Sequence, residues 1–344
     1  MLRLHPFRYH RPETVDEAVA LLAGLGEEAM PIAGGTDLMP NMKHRLFTPA
    51  HVVSLNRIAA MRGVALGPSG KHLRIGALET LANVSANPLV RRYFRGLADA
   101  AGLVAGPQLR NMGTIGGNVC LDTRCTYYNQ TEFWRGALGY CLKKDGTVCH
   151  VTKVGKKCVA AHSADTPPNL IALGATLVLV GPGGAREISA ADFFVTDGIW
   201  NTRRAHDEIL TEIRIPVGGP SRRSAYRKLR QRHSIDFPLL SVAVAGDLDE
   251  NGVVKRIAGV VSALGARPRV LAGWHEIAFG ARLGGGVIDV LADRAYAQCR
   301  PLENIIVDAE WRRAMVRVYA RRALAELAGD RSAAGNGSAA EPRQ

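Results

Sequence analysis

The sequence predicts an α+β chain in which two α/β units present a ligand and a C-terminal unit sets helices against a three-stranded antiparallel sheet. Three observations predict it. Short β-rich runs alternate with runs of helical period through the first two-thirds of the chain. Two glycine loops, one at 31–39 and one at 110–118, interrupt those runs. Three strand-like runs then follow one another between 224 and 262 ahead of two helical stretches, the order of an α+β layer. At 344 residues, 47% of them hydrophobic, the chain is long enough for two or three domains and a sizeable core.

The first unit, residues 1–57, opens with Thr14-Val15-Asp16-Glu17, a capping box that places a helix start at Thr14. Val15, Ala18, Val19 and Leu22 share one face of that helix, and Gly24 can end it. The chain then runs through Ala29–Ile32 into the first glycine loop, with an apolar strand at 52–55 beyond it. The second unit, 58–218, holds a strand at 73–77, a helical segment from Thr80 and a helix over 89–105 interrupted by Gly102 and Gly106. A short helix at 169–173, a strand at 176–180, a hairpin turn at 181–184 and an alternating strand at 209–216 complete it. Residues 121–162 within this unit read as a wrap of chain rather than a packed domain. The third unit, 219–328, has strands at 224–229, 240–248 and 254–262, the last two joined by Asp249-Glu250-Asn251-Gly252, and helices at about 284–297 and 308–328. The composition of 329–344 predicts a disordered tail.

Each glycine loop has the chemistry of an anion site. Gly34, Gly35, Gly113, Gly116 and Gly117 let the main chain approach a ligand with no Cβ in the way, and turn amides can converge on a phosphate. Thr36, Thr114 and Asn118 add side-chain donors. Neither loop fits GxGxxG or GxxxxGK[ST], and one alone could be an ordinary turn. Two together can clamp the two phosphates of one dinucleotide from opposite sides, which is the more specific reading.

Five of the six cysteines, at 120, 125, 141, 149 and 158, fall within the thirty-nine residues 120–158, beyond the second loop. Thiolates at such irregular loop spacings can hold an iron–sulfur centre if the chain wraps round it, and which four of the five would do so the spacing leaves open. Structural zinc favours a short knuckle, which only Cys120 with Cys125 offers. Disulfides suit an exported chain, and unrelated buried thiols remain a third alternative. Cys120 is expected to be a small buried residue and Cys299 to be remote and inert. Aromatic residues at 127, 128, 133 and 134 could shield a cluster, and Lys143, Lys144, Lys153, Lys156 and Lys157 would favour anionic sulfur or attract an acidic donor.

The net charge of +13, from 44 Lys and Arg against 31 Asp and Glu, raises nucleic acid as a partner, but the basic residues are scattered and form no binding motif. An acidic protein partner is preferred. No apolar run reaches the roughly 20 residues a membrane helix needs. The segment Met1–Phe7 lacks an apolar core, so a cytoplasmic location is the expectation.

The two glycine loops, Ser163-Ala164-Asp165-Thr166-Pro167-Pro168 and Tyr226-Arg227-Lys228-Leu229-Arg230 together resemble the FAD-binding subunit of the molybdenum hydroxylases, the family of xanthine dehydrogenase and aerobic carbon monoxide dehydrogenase. The resemblance covers roughly residues 1–328. It implies a two-part α/β FAD-binding domain with a C-terminal α+β domain. It also implies FAD contacts from Ile32, Ala33, Gly34, Gly35, Thr36, Asp37, Leu38 and Met39, and from Thr114, Ile115, Gly116, Gly117 and Asn118. By the same resemblance Val104 borders the adenine, Asp165 hydrogen-bonds the cofactor, Leu210 gives a backbone contact and Lys228 lies near the pyrimidine end of the flavin. In ordinary members the second loop runs almost directly into the 163–168 segment. A cysteine-bearing insertion there, with Cys125, Cys141, Cys149 and Cys158 spaced C-x15-C-x7-C-x8-C, is similar to that of 4-hydroxybenzoyl-CoA reductase, and the likeness implies that these four hold a [4Fe-4S] cluster. That likeness implies electron transfer with no substrate chemistry on this chain, a ferredoxin donor, and a dimer of αβγ trimers with a [2Fe-2S] small subunit and a molybdopterin-binding large subunit. A xanthine- or aldehyde-oxidising relative with outward electron flow is the alternative.

Overall fold

The computed structural model describes residues 2–152 and 156–329, so the expected tail, from residue 330, and Lys153 lie outside the described residues. The N-terminal part contains β1 (Arg8–His10), α1 (Val15–Leu25), β2 (Ala29–Ile32), α2 (Leu38–Lys43) and β3 (His51–Ser54). Its strands form a parallel sheet ordered β1-β3-β2. The Thr14 hydroxyl accepts from the Glu17 amide, and Glu17 reaches back to the Glu13 amide, so the helix start is held by reciprocal bonds. Ala18, Val19 and Leu22 are the buried face of α1.

The middle part runs β4 (Val64–Leu66), β5 (His72–Gly76), α3 (Leu81–Ala86), α4 (Pro88–Tyr93), α5 (Arg95–Gly102), α6 (Pro107–Met112), α7 (Ile115–Val119), α8 (Glu132–Ala137), α9 (Pro167–Ala172), β6 (Thr176–Gly181), β7 (Gly184–Ser189), α10 (Ala190–Phe193) and β8 (Ile209–Pro216). Its strands make an antiparallel sheet ordered β4-β5-β8-β6-β7. The helix expected over 89–105 is two helices, α4 and α5. Phe94, between them, leaves helical geometry at φ −140° and is fully buried, because turning its ring into the core is worth more than one continuous helix.

The C-terminal part holds β9 (Arg222–Leu229), β10 (Leu240–Leu248), β11 (Val254–Ser262), β12 (Arg269–Val270), α11 (Trp274–Ala278), α12 (Gly285–Gln298) and α13 (Ala309–Ala328). Its antiparallel sheet has four strands, ordered β12-β11-β10-β9, where three were expected. The added strand is two exposed residues long, too short to carry an alternation. Both faces of this sheet are covered. Val242, Val244, Ile257 and Val261 pack into a core with α12 and α13, whereas Ala243, Ala245 and Val260 point into the core shared with the two preceding parts. Small residues on that second face let the sheet lie close to α5 and α9 of the middle part. The mixed α+β architecture read from the sequence is the one observed.

Among the described residues no helix is long and apolar enough to cross a membrane.

The long segment between α7 and α9 contains one short helix, α8, and its ends are tied together. Arg124 and Ala161 exchange both backbone hydrogen bonds, at 2.8 and 2.7 Å. Asn118 Oδ1 accepts from the Thr166 amide at 3.0 Å and from its hydroxyl at 2.7 Å, so the two halves of the glycine signature meet across the insertion. Arg135, 1% exposed, donates from α8 to the carbonyls of His44 and Arg45 at the end of α2. The Asn304 side chain donates to the Val159 carbonyl, and the Thr126 amide donates to Asn304, fixing the insertion to the C-terminal part.

Candidate functional site

The two glycine loops touch. A Cβ on Gly34 would lie 1.9 Å from the Met112 carbonyl oxygen, so only glycine permits this approach. They border a cavity of about 490 Å³, in the usual range for a small-molecule site. Ile32, Ala33, Gly34, Gly35, Thr36, Asp37 and Leu38 line it from one side, and Thr114, Gly116, Gly117 and Asn118 from another. Val104 and Leu210 complete the wall. Met39 and Ile115 are not among the lining residues. Ile115 is core, and the Met39 side chain lies 3.3 Å from where a Gly35 Cβ would stand.

The loops differ in what their amides are free to do. Ile115 and Gly116 donate to the Glu79 and Ala77 carbonyls, Gly117 to the Thr114 hydroxyl and Asn118 to the Thr114 carbonyl. Among the described residues the amides of Gly34, Gly35, Thr36 and Asp37 donate to no protein acceptor. The first loop therefore offers the open donors that an anionic ligand requires, while the second braces it. Two buried nitrogens on the cavity wall, His44 Nδ1 and Arg124 Nε, also lack partners. This donor set fits a dinucleotide such as FAD.

Asp165 and Lys228 lie behind this wall rather than on it. Asp165 accepts from the Tyr226 hydroxyl at 2.6 Å and from Lys228 Nζ at 2.9 Å, and Lys228 also donates to the Leu103 carbonyl at 3.0 Å. Two of the three ammonium hydrogens are thus engaged. Burial pushes the Asp165 carboxyl up, and Lys228 opposes that.

Several lining residues carried no motif. Arg124 pairs with Asp37 and lies 3.9 Å over the Phe237 ring, joining the first loop to the start of the insertion and to the irregular stretch before β10. Burial raises the Asp37 carboxyl, and Arg124 opposes the rise. Adjacency to Cys125 was the only sequence signal for Arg124. Phe237 had none. Cys120, half-buried, lines this cavity and not the one formed by the other cysteines.

Cys125, Cys141, Cys149 and Cys158 line one small second cavity together with Tyr127, Tyr128 and Lys143. A Gly198 Cβ would lie 2.7 Å from Cys158 Sγ, so the loop that carries Gly198 seals against this sulfur only because it has no side chain there. Burial raises Cys125 to about 11, and the other three cysteines add to the rise, as neighbouring thiolates would. Cys149 falls below its ordinary value: burial raises it, but hydrogen bonds from Thr152, Val151 and Val159 outweigh that. Among the described residues no group of three or more His, Cys, Asp or Glu is placed to hold a metal ion. Cys299 is buried in the C-terminal core and lines neither cavity.

Residues 5–218 match the family described as the FAD binding domain in molybdopterin dehydrogenase, and residues 224–327 match the CO dehydrogenase flavoprotein C-terminal domain. The chain is 32% identical to the carbon monoxide dehydrogenase medium chain of Hydrogenophaga pseudoflava, over 92% of this chain and 96% of that one. It is 34% identical to the aldehyde oxidoreductase FAD-binding subunit PaoB of Escherichia coli, over 72% and 80%. A solved carbon monoxide dehydrogenase structure from Hydrogenophaga pseudoflava superposes with a TM-score of 0.78 at 29% identity, covering 96% of this chain and 99% of that one.

Proposed function

Because the chain belongs to the FAD-binding medium-subunit family of the xanthine and carbon monoxide dehydrogenases, we propose that it is the electron-transfer flavoprotein subunit of a molybdenum-containing 4-hydroxybenzoyl-CoA reductase, carrying FAD and a [4Fe-4S] cluster. The observation that carries this reading is the convergence of Cys125, Cys141, Cys149 and Cys158 on one cavity beside the dinucleotide cavity. The chemistry of the donors fits: four thiols, hydrogen bonds onto the Cys149 sulfur and a buried cation.

FAD and the cluster would supply two-electron and one-electron redox chemistry. The chain's own residues bind and shield. Ile32 to Leu38, above all the open amides of Gly34 to Asp37, hold the pyrophosphate, with Thr114 to Asn118 as the brace. Val104 borders the adenine, and Leu210 supplies a main-chain contact. Asp165 orients Lys228 behind the wall, near the pyrimidine end of the flavin. Tyr127 and Tyr128 exclude water from the four sulfurs.

The proposed donor is a ferredoxin, and the proposed partners are a [2Fe-2S] small subunit and a molybdopterin-binding large subunit in a cytoplasmic dimer of αβγ trimers. On the large subunit the phenolic hydroxyl of 4-hydroxybenzoyl-CoA is removed reductively, giving benzoyl-CoA and water. The names of the relatives favour a second reading, a carbon monoxide- or aldehyde-oxidising enzyme with electrons flowing outwards. Benzoyl-CoA formation by the assembled enzyme with a reduced viologen separates the two.

The test of the cofactor set is iron, acid-labile sulfide and flavin measured on one anaerobic sample. Near four iron and four sulfide with one FAD per chain is the expected result. Cys149→Ser should lose the iron and keep FAD, and Cys120→Ser should keep both. Zinc without iron would end the cluster reading.

A further inference from the structure

Between the two cavities stands one ion pair with a member on each side. Asp122 lines the dinucleotide cavity and Lys143 lines the cysteine cavity. Their side chains meet at 2.6 Å, with the lysine only 4% exposed. The ammonium is held on every side: its three hydrogens are shared among Asp122, the Thr123 hydroxyl and the carbonyls of Thr123 and Gly198, and it lies 4.4 Å over the Tyr128 ring. Gly198 is the residue sealed against Cys158, and Tyr128 packs with Cys125 and Cys141. The carboxylate is equally fixed, since Asp122 accepts from the Tyr128 hydroxyl at 2.9 Å and from the Thr123 amide at 2.8 Å. The neighbouring charges on the dinucleotide side, Asp37 and Arg124, are paired with each other. Asp122 and Lys143 thus form an immobile dipole across the shared wall, with its positive end on the sulfur side.

We infer that Lys143 and Asp122 are the residues that set the reduction potential of the cysteine site relative to the flavin. The inference rests on the cluster reading above. A buried cation beside sulfur stabilises the reduced, more negative state, and a buried anion opposes it; low-dielectric surroundings make both effects large.

The test is an anaerobic redox titration of the cluster by EPR in the assembled enzyme, with iron and flavin content measured on each sample. Lys143→Met should shift the cluster's reduction equilibrium at least about tenfold towards the oxidised form, which for one electron is about 59 mV downwards. Asp122→Asn should shift it the opposite way, and the double variant should return towards wild type. If Lys143→Met loses iron, the sign of the Asp122→Asn shift decides alone. Unchanged potentials, shifts of the same sign, or iron loss from both single variants would overturn the inference and leave the pair as a fastener. A wild-type chain that takes up no iron fails the cluster reading itself, a distinct result.

Discussion

At Gly34 the requirement is steric and local. The Met112 carbonyl occupies the place where any other residue would put its Cβ, and Met112 is the last residue of α6 and part of the second loop. Gly34→Ala should therefore force the loops apart and misplace the open amides, an overpacking cost of about 1–3 kcal/mol. FAD affinity should fall roughly ten- to hundredfold, read by flavin fluorescence on the refolded apoprotein. Gly24→Ala, at a helix position with nothing within 4 Å of the added methyl, is the control and should leave affinity unchanged. An affinity unmoved in Gly34→Ala would mean that the contact between the loops does not shape the site. The glycines themselves were legible from the sequence. Which of the two loops keeps its amides free was not, because that depends on the backbone of Ala77 and Glu79, which no local pattern points to.

Between elements, the contact of greatest consequence is the buried Lys228–Asp165 pair. It joins β9 to the segment before α9, and through the Leu103 carbonyl to the end of α5. With side chains 0% and 3% exposed, the charges compensate each other. Lys228→Met leaves a buried carboxylate with only the Tyr226 hydroxyl, which should cost about 3–5 kcal/mol in urea unfolding. Adding Asp165→Asn removes the uncompensated charge and should recover part of the loss. A single-variant loss under about 1 kcal/mol would show that the pair contributes little. Element by element, helices with a cap were readable: Thr14, Thr80 and Asp308 each hold the amide that their position calls for. Boundaries set by the core were not. Phe94 splits a helix because of where its ring goes, and β12 exists because β11 offers an edge, neither of which is a property of the local sequence.

At the scale of the molecule the insertion has to be held against all three parts of the fold, and its exit depends on a buried histidine. The sequence showed that thiols were concentrated between 120 and 158. Whether they converge is decided by anchors far away in the chain: Arg135 on the end of α2, Asn304 on Val159, and His162 on β11. His162 Nδ1 lies 2.9 Å from the Ser262 hydroxyl, its amide donates to Gly265, and its ring meets Phe194 edge-on at 4.9 Å. Among the described residues its buried Nε2 has no partner, so the imidazole finds no acceptor there for a second proton. Burial lowers its pKa from 6.5 to about 3. A histidine depressed in the folded state contributes stability above its unfolded pKa and loses it as pH falls. The unfolded chain binds the proton below about pH 6.5 while the folded chain refuses it down to about 3. From pH 8 to pH 5 this one group should remove roughly 2 kcal/mol of unfolding free energy. Carboxylates also titrate towards acid, so the informative quantity is a difference. The stability gap between wild type and His162→Gln, which cannot charge, should narrow by that amount over the same interval. A gap independent of pH would show that water or a rearranged Phe194 solvates the protonated ring, and that the exit of the insertion opens in mild acid.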